Sequence, residues 1–305
     1  MSRQESSEWR RALAAVRRLE PITPGVEAPS ALPPARTVEL SGGRSLRVRD
    51  SGGSGPVVVL LHAWGLTSDV NFLDVMEPLA ADYRVVSYDL PGHGPRRGRF
   101  EFGIAADELR DLLDALGIER AVLCGYSMGG PVAMEFGLRH PDRCAGLMLQ
   151  ATALVYNHLV DRFIVAALHV ARPFARLGIG RTAAVRYFAA VRTGSPRVAA
   201  LWPWLRRELT QAHPADLVQA GLEDMRYDYR PVAGTLRDTA DLPIAVMITA
   251  SDTAVPPKDQ RTMAEALGAV TAEVDTDHDG FLVASELYAA ATLSLLAQLA
   301  PAATA

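Results

Sequence analysis

Cysteine and lysine are scarce in this chain, and neither sign of charge dominates. Two of the 305 residues are cysteine, and both Cys124 and Cys144 adjoin apolar runs, which favours buried thiols over a disulfide framework. The 31 basic residues, among which Lys258 is the one lysine, stand against 35 acidic residues and give a net charge of −4. Because binding to phosphates needs a concentrated positive field, we predict no nucleic-acid partner.

Long apolar runs are also missing. The longest, such as residues 57–61, fall far short of the roughly 20 residues that cross a bilayer, so no integral membrane span is predicted. Near the N-terminus, five apolar residues separate Arg11 from Arg17, too few for the core of a secretory signal. We therefore predict a cytoplasmic protein. With 49% apolar residues the chain can bury a large core, which excludes a disordered chain.

The first 35 residues predict an arm that precedes the main domain. Within residues 8–19, Trp9, Leu13 and Val16 lie on one helical stripe, which predicts a helix that packs on the protein's own body, with a membrane surface as the alternative. Five prolines between residues 21 and 34 then exclude regular structure.

From residue 36 onward, short β-branched runs alternate with helical segments. Strands are predicted at 37–40, 46–50, 57–61, 84–88, 121–125, 145–149 and 244–249, and helices at 101–116, 128–139 and 282–299. This alternation predicts an α/β fold with a mostly parallel sheet flanked by helices. It stops between residues 152 and 238, a helical insertion after the sixth strand, with helices predicted at 159–177, 181–191 and 198–209. The core then comprises residues 36–151 and 239–305.

The segment Gly125-Tyr126-Ser127-Met128-Gly129 carries the strongest chemical signal. A predicted strand leads into it and a predicted helix leaves it, the strand-turn-helix arrangement that lifts a serine hydroxyl above the edge of a sheet. Glycines are needed on both sides because a Cβ there would collide with the sharply turned backbone. The start of the helix also offers free N–H groups to a developing oxyanion. Ser127 is therefore a candidate nucleophile.

A serine nucleophile needs a base, and the base needs an orienting acid. Asp252 follows the predicted strand 244–249, and His278 follows the short strand-like segment 272–275. The carboxyl ends of parallel strands meet at one edge of a sheet, so both side chains are expected near Ser127. Asp241 and Asp161 are competing carboxylates, but the first precedes its strand and the second lies in the helical insertion.

The order Ser, Asp, His along the chain resembles that of the α/β-hydrolase family. The loop His62-Ala63-Trp64-Gly65 is similar to that family's His-Gly-x-Gly loop, and the turn from Asp89 to Gly94 resembles its Asp-x-x-Gly-x-Gly turn. The resemblance covers nearly all of residues 36–299. It implies that the backbone N–H groups of Trp64 and Met128 form an oxyanion hole, and that residues 152–238 are a helical cap that governs substrate choice. Ala63 departs from the family pattern, which has glycine there.

The remaining histidines are interpreted as structural. His62 is expected to brace the oxyanion loop by hydrogen bonding, His93 to fill a turn, and His140 to end a helix. No cofactor or metal is predicted, and no pattern indicates an oligomeric state.

Residues 275–286 satisfy a calcium-loop consensus that we interpret as fortuitous. Asp275, Asp277, Asp279, Gly280 and Glu286 stand at the spacing of an EF-hand loop. An EF-hand needs a helix on each side, whereas the residues upstream, 270–274, favour a strand. Calcium binding is retained as a separate, regulatory hypothesis.

Together these features predict a serine hydrolase that cleaves a small-molecule carboxylic ester through an acyl-enzyme intermediate. Thioester, lactone or C–C hydrolysis and cofactor-free perhydrolysis are alternatives on the same site. A protein that binds a ligand without turnover is an alternative from another class.

Overall fold

The computed structural model describes residues 27–29, 31–182, 185–186, 188–189 and 195–299. The helix predicted at residues 8–19 lies outside the described residues, as do residues 21–26 and 30 of the proline-containing arm and residues 183–184, 187 and 190–191 of the helix predicted at 181–191. These predictions therefore stay predictions.

One eight-stranded sheet runs through the described part of the chain, in the order β1-β2-β4-β3-β5-β6-β7-β8. Strands β1 and β2 are antiparallel additions at one edge, and the strands from β3 to β8 run parallel. The predicted α/β fold with a mostly parallel sheet is confirmed. The strand bounds are β1 Ala35–Glu39, β2 Ser45–Asp50, β3 Val57–Leu61, β4 Arg84–Tyr88, β5 Ala121–Tyr126, β6 Cys144–Gln150, β7 Ile244–Thr249 and β8 Val270–Val274.

Helices cover both faces of this sheet. Their bounds are α1 Ser68–Asn71, α2 Met76–Leu79, α3 Phe102–Ala115, α4 Gly129–Arg139, α5 Leu159–Arg176, α6 Pro196–Leu209, α7 Pro214–Asp224, α8 Ala233–Arg237, α9 Pro257–Leu267, α10 Gly280–Val283 and α11 Ser285–Leu299. None of the helices in the described ranges is long and apolar enough to cross a membrane.

The central strands are apolar throughout because each of their faces meets a separate core. In β3, Val59 and Leu61 point into the core beneath α3 and α4, whereas Val58 and Leu60 point into the core beneath α2 and α11. All four side chains are fully buried. Successive strand side chains point to opposite faces, so a strand covered on both sides loses the polar alternation of an exposed strand.

One helix prediction needs correction. The helix predicted at 282–299 is two helices, α10 and α11, separated at Ala284, whose backbone is not helical. The helices α7 and α9 were not predicted, although Pro214 and Pro257 occupy the first helical position that proline tolerates.

The helical insertion connects β6 to β7 and contains α5 to α8. Its helix α7 touches the core at the loop that follows β3, where the indole Nε1 of Trp64 donates a hydrogen bond to the carbonyl of Leu217 at 2.7 Å. Gly221 packs closely against the same ring, since a Cβ at that position would lie 2.6 Å from Trp64 Cζ2.

A buried ion pair joins the antiparallel edge of the sheet to α1. The guanidinium of Arg49 meets both carboxylate oxygens of Asp69, with Nε to Oδ1 at 2.5 Å and Nη2 to Oδ2 at 2.6 Å. Removing one partner of such a pair leaves the other charge buried. We expect Arg49→Ala to lower the free energy of unfolding by about 3 kcal/mol, measured by urea denaturation.

Arg36→Ala is the matched control for that measurement. Arg36 also pairs with a carboxylate, Asp50, but its own side chain is 53% exposed. Its loss is expected to change the free energy of unfolding by less than about 1 kcal/mol. Equal effects of the two variants would contradict the assignment of the Arg49 pair to the core.

Candidate active site

Ser127 occupies a sharp turn between β5 and α4. Its backbone has φ = 51°, a left-handed conformation that is costly for any residue other than glycine. The amide of Ser127 is fixed by a 2.9 Å hydrogen bond to the carbonyl of Gln150 in β6. The strain is thus held by neighbouring structure, and the side chain stands at the carboxyl edge of the parallel strands.

The two glycines that flank Ser127 allow this turn. A Cβ on Gly125 would lie 2.3 Å from the carbonyl oxygen of Gly129, and a Cβ on Gly129 would lie 2.0 Å from the carbonyl oxygen of Leu61. Neither distance is possible in a folded protein. The turn therefore packs directly on the end of β3.

His278 connects Ser127 to Asp252. Its Nε2 lies 3.1 Å from the Ser127 Oγ, and its Nδ1 lies 2.9 Å from the Asp252 Oδ2. The three residues follow β5, β7 and β8, so that three separate strands bring them together. The competing carboxylates lie elsewhere: Asp161 accepts a hydrogen bond from the His158 amide at the start of α5, and Asp241 precedes β7.

The carboxylate of Asp252 is buried and its two oxygens are fully engaged. Oδ1 accepts hydrogen bonds from the amides of Ala254 and Val255 at 2.9 and 2.8 Å. Oδ2 accepts, besides the histidine, a 2.7 Å bond from the Thr249 hydroxyl and a 3.3 Å bond from Gln260 Nε2. Sequence reasoning did not identify Thr249 and Gln260, and Gln260 lies on the unpredicted helix α9.

The resemblance to the family implied an oxyanion hole at the amides of Trp64 and Met128. Met128 follows Ser127 directly, and Trp64 lies on the loop after β3, which is paired with β5 through Leu61 and Gly125. The described residues supply no hydrogen-bond acceptor for either amide N–H. At Ala63, where the family has glycine, the amide is bound to Asn71 Oδ1 at 2.8 Å.

His62 ties this loop to the loop after β4. Its Nε2 accepts a 2.9 Å hydrogen bond from the Leu90 amide, which requires the proton on Nδ1, and Nδ1 donates to the Ala63 carbonyl at 2.8 Å. Burial lowers the pKa of His62 to about 4, so the ring stays neutral at ordinary pH. Both bonds fix the backbone immediately before Trp64.

A sequence profile of the alpha/beta hydrolase fold family matches residues 56–285, most of the chain. The chain belongs to the α/β-hydrolase family.

Named relatives and solved structures agree with this membership. The chain is 34% identical over 224 residues to the pimeloyl-[acyl-carrier protein] methyl ester esterase of Chromobacterium violaceum, a match that covers 70% of this chain and 83% of that protein. A thermophilic esterase from Thermogutta terrifontis superposes with a TM-score of 0.67 at 22% identity, covering 88% of this chain and 99% of the other. The enol-lactonase of Burkholderia xenovorans does so with a TM-score of 0.65 at 24% identity, covering 86% and 99%.

In this α/β-hydrolase, a group of polar side chains that sequence reasoning missed lies beside Ser127. The hydroxyl of Tyr156 is close to Ser127 and Thr152, and its ring packs on Tyr227 with centroids 5.2 Å apart. Asp224, at the end of α7, lies close enough that its charge would raise the pKa of both tyrosines. Burial raises the pKa of Asp224 itself to about 8. These residues come from the helical insertion and its junctions with the core.

The acidic segment 275–286 is built differently from a calcium loop. The strand β8 precedes it, and α10 begins inside it at Gly280. Its carboxylates bind neighbouring loops: Asp275 accepts from the Ser251 hydroxyl at 2.6 Å, and Asp277 accepts from the Thr253 amide at 2.8 Å. Within the described ranges, no group of three or more potential ligand side chains is placed to hold a metal ion.

The contact between Gly129 and β3 predicts the outcome of adding one methyl group there. We expect Gly129→Ala to lower the free energy of unfolding by about 3 kcal/mol or more, because the Cβ would overlap the Leu61 carbonyl. Thermal unfolding followed by circular dichroism measures the effect.

Gly234→Ala provides the control. Gly234 lies in α8, where a Cβ would meet nothing closer than 3.9 Å, so alanine is expected to leave stability unchanged or raise it by up to about 1 kcal/mol. A tolerated Gly129→Ala variant would disprove the close packing at the turn.

Proposed function

We propose that this protein is a serine hydrolase that cleaves small-molecule carboxylic esters through an acyl-enzyme intermediate. The observation that carries the proposal is the hydrogen-bonded chain from Ser127 through His278 to the buried Asp252. A serine hydroxyl is a weak nucleophile until a base removes its proton, and this chain supplies the base and its orienting acid. Residues 152–238 are proposed as the cap over this site, and we retain the predicted cytoplasmic location.

The reaction follows from the roles of the three side chains. Ser127 Oγ attacks the ester carbonyl while His278 Nε2 takes its proton, and the tetrahedral intermediate then collapses as the histidine returns that proton to the leaving alcohol. Asp252 holds the proton on Nδ1, which leaves Nε2 free to act as the base. Water then attacks the acyl-enzyme by the same route and releases the acid.

The oxyanion of each tetrahedral intermediate would be held by the amides of Trp64 and Met128. Two unengaged backbone donors next to the nucleophile suit this task, since they need no reorganisation as charge develops. The start of α4 adds a favourable dipole. The similarity to a methyl ester esterase over most of both chains supports an ester as the bond that is cleaved.

Removing the hydroxyl of Ser127 tests the mechanism directly. Wild-type protein is expected to hydrolyse a short p-nitrophenyl ester with a burst of nitrophenol and to be labelled at Ser127 by an organophosphonate. Ser127→Ala is expected to lose at least about 10⁴-fold in kcat and all labelling. Ser251→Ala, which removes an exposed hydroxyl, serves as the control and is expected to retain both. A wild-type protein with neither burst nor label would contradict the proposal.

The bonds from Gln260 predict a positioning role for that side chain. Its Nε2 donates to Thr249 Oγ1, to Asp252 Oδ2 and to the Val255 carbonyl. We expect Gln260→Leu to lower kcat by about 10- to 100-fold with little change in KM, since the acid and base lose alignment while substrate contacts remain. Gln260→Glu, which retains the acceptor for the Thr249 amide but replaces the Nε2 donor with a carboxylate oxygen facing Asp252, is expected to lose at least as much kcat as Gln260→Leu. An unchanged kcat in Gln260→Leu would remove Gln260 from this role.

A further inference from the structure

The helix α7 is anchored against the loop that follows β3. Trp64 supports this helix through its hydrogen bond to Leu217 and its close contact with Gly221. Asp224 follows Gly221 by three residues, and residues spaced by three share a helix face. The carboxyl group of Asp224 therefore lies on the side of α7 that faces the core, where it is only 2% exposed.

A short two-stranded contact fixes the neighbours of Asp224. The Tyr227 hydroxyl donates to the Ala153 carbonyl at 2.9 Å, and the Tyr229 amide donates to the Leu154 carbonyl at 2.8 Å. Residues 153–156 therefore run beside residues 227–229. This pairing sets the ring of Tyr156 against Tyr227 and its hydroxyl near Ser127.

One buried polar atom of this cluster, Oδ1 of Asp224, has no hydrogen-bond partner among the described residues. The hydroxyl of Thr152 is engaged by Tyr156 and Tyr227. Thr152 also packs on the start of α4, since a Cβ on Gly130 would lie 2.5 Å from its Cγ2. Buried polar atoms in native proteins are nearly always paired, so the unpaired oxygen of Asp224, close to the tyrosine that approaches Ser127, points to a ligand that completes it. A surface groove of about 370 Å³, lined by Tyr156, Met225 and residues of α5, lies next to the cluster.

The protonation state of Asp224 decides what kind of ligand atom fits. Burial is the only cause that raises its pKa to about 8, so the carboxyl group is mostly neutral at pH 7 and offers an O–H donor. Tyr156 and Tyr227 are the titratable groups that interact with it, and Glu223 and Arg226 lie on its own segment. Asp161, Arg162 and His169 from α5 line the adjoining groove, and Glu135 from α4 accepts a hydrogen bond from Tyr229. None of them contributes to the shift of the Asp224 pKa.

We propose that Asp224 is a substrate-binding residue that donates a hydrogen bond from its neutral carboxyl group to an oxygen acceptor on the substrate, close to the scissile ester. The carboxyl group of Asp224 presents an O–H donor, which matches an ether, carbonyl or ester oxygen better than a plain alkyl chain. This inference rests on the proposed ester hydrolysis. The specificity that it assigns is a preference for esters that carry a further oxygen acceptor close to the scissile ester group.

Two pairs of nearly isosteric esters isolate this hydrogen bond. Phenyl methoxyacetate and phenyl butanoate differ by one ether oxygen on the acyl side, and 2-methoxyethyl acetate and butyl acetate differ by one on the alcohol side. The measured quantity is the ratio of kcat/KM within a pair, which cancels any pH dependence that both esters share. Spontaneous hydrolysis is subtracted with Ser127→Ala.

In the wild type, the ratio of kcat/KM for the ether ester to kcat/KM for its alkyl counterpart is expected to fall by about 3- to 10-fold between about pH 6 and about pH 9.5. The fall is expected in one of the two pairs, the one whose ether oxygen lies on the side of the ester that meets Asp224. The sign follows from the donor: the carboxylate that forms above pH 8 has no proton to give. Asp224→Asn keeps an N–H donor at every pH, so its ratio is expected to stay constant. Asp224→Leu has no donor, so at both pH values its ratio is expected to equal the low ratio that the wild type shows at the higher pH.

Glu223→Gln is the matched control, since it removes a neighbouring charge on α7 and is expected to reproduce the wild-type profile. A wild-type ratio that is independent of pH in both pairs would overturn the role of Asp224, as would an Asp224→Asn ratio that falls like the wild type. Loss of all turnover and labelling in the wild type would instead refute the ester hydrolysis itself. The pH dependence of the ratio in Asp224→Asn tests the role of Asp224 even where Asp224→Leu does not fold.

Discussion

The sharp turn at Ser127 is the constraint on which the rest of the site depends. It exists because Gly125 and Gly129 carry no Cβ, which lets the start of α4 lie against the carbonyl of Leu61 at the end of β3. That same contact sets the distance between the serine and the loop that carries Trp64. The proposed nucleophile and the two proposed oxyanion donors are thus positioned by backbone packing within one sheet edge. Backbone held in this way needs little reorganisation during a reaction.

Two buried aspartates near this turn show opposite solutions to the cost of burying a carboxyl group. Asp252 receives hydrogen bonds from backbone amides, Thr249, Gln260 and His278, so both oxygens of its buried carboxyl group are paired within the folded protein. Asp224 has an oxygen without a partner, and burial raises its pKa to about 8. A group of the first kind is a fixed part of the folded protein. One of the second kind gains a partner only when something else binds, which is why the unpaired oxygen indicates recognition.

The sequence was informative where the relevant structure is local or follows from the topology of a parallel sheet. The turn at Ser127 was predictable because strand, glycines and helix are contiguous, and the approach of Asp252 and His278 was expected because neighbouring parallel strands end at one edge. The calcium-like string 275–286 was interpreted as fortuitous because a strand was predicted before it, and that strand is β8. Gln260 and Asp224 were missed because they lie on α9 and α7, whose positions depend on tertiary packing. No periodicity in the sequence reveals that Gly221 rests on Trp64.

The sources of these groups suggest a division of tasks between the core and the insertion. Ser127, Asp252 and His278 all follow strands of the sheet, whereas Tyr156 and Asp224 belong to the segment between β6 and β7. The residues from the core and those from the insertion come into contact where α7 packs on Trp64 and where Tyr156 approaches Ser127. With the roles proposed above, substitutions on the buried side of α7 change substrate binding without moving Ser127, Asp252 or His278, whereas substitutions in the turn at Ser127 move these side chains as well. A fold that separates the two in this way can change its substrate while its chemistry stays the same.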